Sequence, residues 1–478
     1  MPESRIPRDD ARETPAPDVL RERAERAERE RDILRRENER LRQQVDHLKR
    51  QLDAARRAGY RQAAPFAKPL KRHPKRPGRK PGDAYGPTAR RRVPPRIDDT
   101  PEAPLPTRCP SCGDRVIATG VATQYQEELP VPRVVVRAFQ VRIGRCRGCG
   151  RRVQGRHALQ TSDALGAAAA QLGPQAVAFA VILNKQLGLS YGKIATLFQQ
   201  QYRLTVTRGG LVQAVHRAAR HAQPTYAALC TAVRGSPMVS PDETGWKVGG
   251  QLQWRWAFAT PDTTVYRIQP GRGFAEAAAV LGADFAGVLV RDGWAPYRHF
   301  TAAAHQTGFA HLLRRCRLVA ADHPRSAFAT DVQAILQQGL AVRDRYHAGG
   351  VSAHGLAVAR GHLITRLAGR LGRPSPVPDV QRFARHLDRE LPAMWAFLFD
   401  PTIDATNWRA EQAIRPAVVT RKVWGGNRTW AGADAQQTLA SVIRTAQQRH
   451  LNPHALLASM LQSPAPLVPL DLQSPAVN

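Results

Sequence analysis

The sequence predicts a multidomain α+β protein, in which a long N-terminal helix precedes a region of mixed strands and helices. Three observations lead to this prediction: a heptad repeat at the N-terminus, two closely spaced cysteine pairs, and a change from helical to alternating periodicity after Gly235. With 478 residues, of which 42% are hydrophobic, the chain can form several folded domains.

The charge of the chain predicts a polyanionic partner. Lysine and arginine total 71 against 39 acidic residues, which favours nucleic acid or an anionic membrane surface. No apolar stretch approaches the roughly 20 residues of a membrane-spanning helix, and the N-terminus lacks the apolar core of a secretory signal. Four of the six cysteines form C-x-x-C pairs, a usage that fits a reducing cytoplasm better than a disulfide framework.

The N-terminal segment, residues 1–58, has the heptad pattern of a leucine-zipper-like coiled coil. Its apolar d positions are Leu20, Ala27, Leu34, Leu41, Leu48 and Ala55, and its a positions are Ala24, Arg31, Asn38, Val45 and Leu52. A buried Asn38 at an a position would fix the register and favour a dimer, whereas a single solvated helix is the alternative. Residues 59–103 are rich in Pro, Gly, Lys and Arg, which predicts a flexible basic linker that can lie along phosphates.

Two C-x-x-C pairs predict a zinc ribbon in residues 104–156. The pairs are Cys109 with Cys112 and Cys146 with Cys149, and we expect the alternating span between them to form strands. Four thiolates around one Zn²⁺ form a closed, structural site, because no coordination position is left for catalysis.

Residues 157–234 predict a helical DNA-binding region. Two amphipathic helices follow each other there, and Thr207 is placed to cap the second. The pattern is typical of a helix-turn-helix, whose second helix can enter a major groove, but a plain helical hairpin fits equally well.

Residues 235–305 predict the first part of a core in which two aspartates end neighbouring strands. Three strands, a helix and a fourth strand follow in order, and Asp242 and Asp292 are expected at the ends of the first and fourth strands. If the fourth strand lies beside the first, both carboxylates meet at one sheet edge, and the order is the opening of a ribonuclease H-like fold. Glu243 is expected to point to the opposite side, as a solvated turn residue.

A third acid, Glu411, is expected from residues 401–450, the closing helix of this core. Asp404 can cap a helix that Pro416 interrupts after Arg415, with Asn407 on the face of Glu411. Several carboxylates can hold two Mg²⁺ or Mn²⁺ ions, which stabilise the attacking and leaving oxygens during phosphodiester cleavage. Residues 306–400 predict a large helical insertion, and residues 451–478 a C-terminal helix and tail.

The chain resembles DDE transposases of the insertion-sequence 66 family over nearly its whole length. The resemblance is carried by the cysteine pairs, DETGWKVGG, LVRDGWAPY, GFAHLLRRC and NWRAEQAIRPAVVTRKVWGG. It implies that Asp242, Asp292 and Glu411 are the catalytic triad and that the insertion is normal for the family. His311 and Arg314 match a family segment whose role stays open. Gly308 and Phe309 replace a Cys-Trp pair that often precedes this histidine.

The resemblance implies a cytoplasmic, nucleoid-associated transposase that cleaves and joins double-stranded DNA at element ends and target sites. Arg421 and Lys422 are candidates for phosphate contact, with surface solubility as their alternative role. A homodimer or larger oligomer is expected through the coiled coil, and family members often act with small accessory proteins. A non-catalytic DNA-binding regulator and a nuclease without strand transfer are the alternative functions.

Overall fold

The computed structural model of the protein describes most of the chain in two compact units, Met1–Glu127 and Glu128–Asn478. The described residues are 17–62, 93–130, 132–160, 171–373 and 375–463. Most of the predicted basic linker and the predicted C-terminal tail therefore lie outside them. No helix within these ranges is both long and apolar enough to cross a bilayer.

The first unit contains the predicted N-terminal helix, α1, Pro17–Gln62. Proline suits the first helical position because its missing N–H would be unsatisfied there in any case, and Asp18 complements the helix dipole. Leu34, Leu41 and Leu48 lie exposed along α1, as expected of d positions in an unpaired chain. The helix is confirmed, while its pairing with a second chain remains a prediction.

The second unit begins with a small hairpin, β1 Ile143–Arg145 paired antiparallel with β2 Arg152–Gln154. The prediction of a strand-rich span before it is wrong. As far as it is described, the chain from residue 124 to 142 forms no strand, and Leu129 and Val136 are exposed. Alternating apolar residues form a strand only when a neighbouring strand takes their backbone hydrogen bonds, and none pairs with them here.

The region between the hairpin and the main sheet is helical, as predicted, and its described residues form four α-helices, of which the last was not predicted. They are α2 Pro174–Val181, which continues as a π-helical turn Ile182–Gln186, followed by α3 Tyr191–Tyr202, α4 Arg208–His221 and α5 Gln223–Arg234. The predicted cap is confirmed, because the Thr207 hydroxyl accepts the N–H of Gly210 at 3.0 Å. Arg203 closes α3 in the left-handed conformation, with φ of 53°.

A mixed sheet, five-stranded within the described residues, has the spatial order β5-β4-β3-β6-β7. Its elements are β3 Met238–Val248, β4 Gln251–Ala259, β5 Thr264–Gln269, α6 Phe274–Leu281, β6 Val288–Arg291 and β7 Ala304–Thr307. The first three strands form an antiparallel meander, whereas β6 pairs parallel with both β3 and β7. The fourth strand of the predicted run therefore lies beside the first. The short, mostly polar β7 was not predicted.

The predicted insertion is helical and has its own hydrophobic core. It contains α7 Phe309–Asp322, α8 Phe328–His347, α9 Ala353–Leu371, α10 Pro378–Glu390 and α11 Ala396–Phe399. Phe309, Phe383 and Phe397 are fully buried in this core together with Val290 of β6. The insertion is thus packed onto the parallel side of the sheet.

Three helices close the unit: α12 Trp408–Trp424, α13 Trp430–Gln448 and α14 Pro453–Gln462. The predicted bounds of α12 are wrong at both ends. The helix begins after Asp404, whose carboxylate instead accepts hydrogen bonds from Trp408 Nε1 and Arg409 Nε. It also continues through Pro416, because α12 buries a row of apolar residues against the sheet, which outweighs one lost backbone hydrogen bond.

The sheet separates two packed layers. Ala257 and Tyr266 lie in one core cluster with Ile414 of α12, whereas Trp256 and Phe258 lie in another with residues of α5 and α6. Successive residues of one strand point to opposite faces of the sheet, whereas two residues paired across neighbouring strands point to the same face. The layer that one residue faces therefore shows which layer its paired residue faces.

The loop after α12 is fastened to β3 through Gly426 and Asn427. Asn427 N–H donates to the Lys247 carbonyl at 2.8 Å, and its side-chain oxygen accepts from Trp246 Nε1 at 2.8 Å. Gly426 has φ of 124°, and a Cβ there would collide with the Lys247 carbonyl. This close approach requires glycine.

Gly426→Ala should destabilise the protein by about 2 kcal/mol more than Gly349→Ala, because the backbone as well as the dihedral must adjust. Gly349 is a matched control: its φ is 74°, but a Cβ there would meet open space. Urea denaturation followed by tryptophan fluorescence measures the difference. Equal losses in the two variants would contradict the tight contact at Gly426.

Candidate active site

Asp242 lies within β3 and faces the layer that contains α12. It pairs with Ala257, which shares that layer, and its Oδ1 accepts the N–H of Glu243 at 2.9 Å. β3 continues to Val248, so the prediction that Asp242 ends its strand is wrong. Burial raises the pKa of Asp242 to about 7, and the charges of Glu243 and Asp292 act in the same direction. Asp242 therefore lies in the electrostatic field of Asp292.

Asp292 follows β6 directly, as predicted. β6 pairs with β3 through Met238 with Val288 and Val239 with Leu289. Continuing this register would align Asp292 with Asp242. The Asp292 Oδ1 accepts the N–H of Trp294 at 3.0 Å, which shapes the turn that leaves the strand.

Glu411 lies in the first turn of α12 and contacts His311 of α7. The His311 Nε2 is 2.9 Å from the Glu411 Oε1. This contact raises the pKa of His311 against the effect of burial, and it lowers the pKa of Glu411. His311 also interacts with the charges of Asp292 and Asp242. His311 thus interacts electrostatically with each of the three predicted acids.

His311 is the residue whose importance the sequence left open. Its place in an apolar helical segment is equally typical of a structural histidine, and only the fold brings α7 beside α12. Arg314, one turn further along α7, is exposed, and its charge lowers the pKa of both His311 and Glu411.

Asn407 is a further polar group beside these acids. It precedes α12, is fully buried, and has no hydrogen-bond partner for either side-chain polar atom among the described residues. A Cβ on Gly308, which precedes α7, would approach the Asn407 Oδ1 to 3.0 Å. Such a buried unsatisfied amide is costly and typical of sites that hold water, ions or substrate.

Glu243 points to the opposite face from Asp242, as predicted, but it is not solvated. It pairs with Trp256 and is 9% exposed. Its Oε1 accepts from Arg272 Nε at 2.5 Å and its Oε2 from the Tyr297 hydroxyl at 2.7 Å. The expectation of a turn residue fails because β3 runs past this position into the core.

The two basic residues near the end of α12 differ in their surroundings. Arg421 Nη1 donates to the Thr244 hydroxyl at 2.9 Å and to the Gly245 carbonyl at 2.6 Å, which ties α12 to β3. Lys422 is exposed. Of the two side chains, that of Lys422 is the more accessible to solvent.

The two cysteine pairs adopt the same local turn. Gly113 N–H donates to the Cys109 carbonyl and Gly150 N–H to the Cys146 carbonyl, each at 2.9 Å, and both glycines have positive φ. Backbone N–H groups of the two turns lower the pKa of Cys109 and of Cys146. Such turns suit thiolates that bind a metal.

The donor chemistry of the acids suits Mg²⁺, but their arrangement is incomplete. Carboxylate oxygens are hard ligands, and the pKa of Asp242 is raised by burial and by two neighbouring negative charges, which a bound cation would offset. Within the described part of the chain, no three His, Cys, Asp or Glu side chains are close enough together to hold a metal ion. Glu411 contacts His311 instead of joining the aspartates.

Comparison with known proteins identifies the class to which this fold and site belong. The family described as "Transposase IS66 family" matches residues 169–435, more than half of the chain. The protein therefore belongs to the IS66 transposase family. The matched range contains Asp242, Asp292, His311 and Glu411, and the cysteine pairs lie before it.

One curated relative is similar to part of the chain. It is "Uncharacterized protein y4qI" of Sinorhizobium fredii (strain NBRC 101917 / NGR234), 26% identical over 241 residues. The similarity covers 44% of this chain and 43% of the relative. The chain thus matches less than half of that relative's length.

Asp242→Asn should stabilise the metal-free protein, by an amount that grows with pH. The folded-state pKa of about 7 exceeds the ordinary aspartate pKa of 3.8, so ionising Asp242 costs folding free energy as pH rises from 4 to 7. We expect roughly 2 kcal/mol of stabilisation at pH 8 and little at pH 4.

Urea denaturation in EDTA at pH 4.5, 6 and 8 measures this effect. Asp284→Asn is the control, because it makes the same substitution at an exposed position. A constant difference between Asp242→Asn and wild type across this range would contradict the raised pKa.

Proposed function

We propose that the protein is the transposase of an insertion element, which cleaves DNA at the element ends and joins the ends to target DNA. The proposal is carried by the match to a transposase family, and it is supported by the electrostatic interactions of His311 with Asp242, Asp292 and Glu411. In this reaction water first hydrolyses a phosphodiester bond and releases a 3′-hydroxyl. That hydroxyl then attacks a target phosphate in line, so that one P–O bond forms as another breaks.

We also propose that the sheet is the core of a ribonuclease H-like domain, interrupted by the helical insertion. The strand order supports this proposal, because three antiparallel strands are followed by two that run parallel to the first. Asp242 lies on the central strand and Asp292 directly after its parallel neighbour, and Glu411 lies on a helix that packs against the central strand.

Asp242 and Asp292 would hold the divalent ions, and Glu411 would complete the ligand set by exchanging His311 for a cation. Bound Mg²⁺ or Mn²⁺ would supply charge stabilisation to the attacking and leaving oxygens of the phosphodiester. His311 keeps Glu411 ionised and oriented until that exchange, because their contact lowers the pKa of the carboxyl. Arg272 and Tyr297 keep Glu243 on the far face of β3, so that it does not compete for the ion.

DNA is the proposed polyanionic partner. The excess of 71 basic over 39 acidic residues supports phosphate binding with steep salt dependence, and Lys422, exposed in the last turn of α12, is a candidate for phosphate contact. The α3–turn–α4 segment is the candidate for reading element-end sequence as a helix-turn-helix. The exposed leucines of α1 support a dimer through a coiled coil.

Substituting any one acid should abolish catalysis and leave DNA binding intact. Asp242→Ala, Asp292→Ala and Glu411→Ala should each lower cleavage and joining of labelled element-end DNA on the order of 10³-fold, because ion binding fails. Asp284→Ala is the matched control and should retain full activity, since Asp284 is exposed.

The same assay separates the alternative functions. Cleaved DNA without joined product would indicate a nuclease, and specific binding with no cleavage in Mg²⁺ or Mn²⁺ would indicate a regulator. Full activity in an acid-to-alanine variant would remove that acid from the proposed triad.

The four predicted zinc ligands, Cys109, Cys112, Cys146 and Cys149, should give about one zinc per chain in the purified protein. Replacing either C-x-x-C pair by serine should remove the metal, because two thiolates do not form a closed site. Cys230→Ser is the control and should retain zinc, because Cys230 packs against the main core. Elemental analysis measures the content, and zinc retained without a C-x-x-C pair would contradict the ribbon.

A further inference from the structure

The end of β6 is clamped by a carboxylate from the insertion. Glu390, the last residue of α10, is fully buried. Its Oε2 accepts from Arg291 Nη1 at 2.6 Å and from the Thr307 hydroxyl at 2.8 Å, while its Oε1 accepts from Arg298 Nη2 at 2.5 Å. One side chain therefore joins the ends of β6 and β7 to the 3₁₀ helix that follows Asp292.

Glu390 binds residues on both sides of Asp292 in the sequence, Arg291 before it and Arg298 after it. Arg291 immediately precedes Asp292 and donates from the same Nη1 to the Asp292 carbonyl at 2.9 Å. Arg298 lies in the 3₁₀ helix Ala295–His299, on the far side of the turn. Arg291 thus fixes the Asp292 carbonyl, and Arg298 fixes the segment that follows the turn. Both arginines donate hydrogen bonds to Glu390.

The helix that carries Glu390 also touches the turn directly. A Cβ on Gly293, next to Asp292, would come within 2.6 Å of His386 Cε1 on α10. Burial would raise the pKa of Glu390, but the charge of Arg291 and its three hydrogen-bond donors lower it to about 2. Glu390 therefore stays ionised throughout the neutral range, and the clamp is held by charge-assisted hydrogen bonds, which are stronger than neutral ones.

We infer that Glu390 is a positioning residue, through which the helical insertion fixes Asp292 in the proposed metal site. The inference rests on the proposed function, and it assigns the insertion a direct part in building the site. Glu390 itself faces Arg291, Arg298 and Thr307, so it orients the ligand without binding the ion. Outer partners of this kind typically contribute 10–100-fold to metal affinity.

The test compares Mn²⁺ binding and amide hydrogen exchange in wild type and Glu390→Asp. Aspartate keeps the negative charge but is shorter by one methylene, so the variant changes geometry rather than electrostatics. We expect Mn²⁺ affinity, measured by calorimetry, to fall at least about tenfold. In the metal-free protein, we expect exchange to quicken over residues 288–300.

Asp379→Asn is the matched control, because Asp379 lies at the other end of α10 and is also ion-paired, with His323. It should bind Mn²⁺ and exchange amides as the wild type does. Asp292→Asn shows which part of the measured Mn²⁺ binding belongs to the proposed site, because the Mn²⁺ bound by Asp292 should no longer bind to this variant. A purely structural role for Glu390 would lower the unfolding temperature and leave the Mn²⁺ affinity of the folded protein unchanged.

Folded Glu390→Asp with wild-type Mn²⁺ affinity would overturn the inference. If this variant does not fold, Thr307→Val replaces it, because that substitution is isosteric and removes one partner of Glu390. We then expect about threefold weaker Mn²⁺ binding, and unchanged affinity would overturn the inference equally. Wild-type protein that binds no Mn²⁺ would contradict the proposed metal site, which is a different failure.

Discussion

The parallel pairing of β6 with β3 is the constraint on which the candidate site depends. Asp242 and Asp292 are remote in the sequence, and the register of this ladder, when continued, aligns them. The other parts of the site attach to the same two strands: α12 through Arg421, α7 through the hydrogen bond from Gly308 to Arg291, and α10 through Glu390. Burying a carboxylate beside like charges costs folding free energy, as the raised pKa of Asp242 indicates. This cost is typical of functional sites, where stability is given up for reactivity.

Local patterns were enough to predict most of the elements that form the site. Alternating residues located β4 and β5, and the apolar run before Asp292 located β6. The helix of Glu411 was predicted from the helical spacing of Asn407, Glu411 and Arg415, and the Thr207 cap was predicted from the preference for threonine at helix starts. These features depend on short-range periodicity and on single side chains, which a sequence displays directly. The expectation that the three acids associate in space required the family resemblance as well.

Features that depend on distant partners could not be predicted in the same way. Glu243 was expected in solvent because its partners, Arg272 and Tyr297, come from later elements. The helix of Glu411 continues past Pro416 because the sheet packs against it. Glu390 gave no signal in the sequence, since an acid at a helix end is usually a surface residue. Its role depends on two arginines and a threonine that the fold brings together.

A crystal structure with Mn²⁺, read by anomalous scattering, tests the central claim most directly. The account predicts a metal peak bound by carboxylate oxygens of Asp242 and Asp292, with the Glu411 side chain turned from His311 toward the ion. Mn²⁺ bound elsewhere on the folded chain, with the two aspartates apart and Glu411 still in contact with His311, would contradict it.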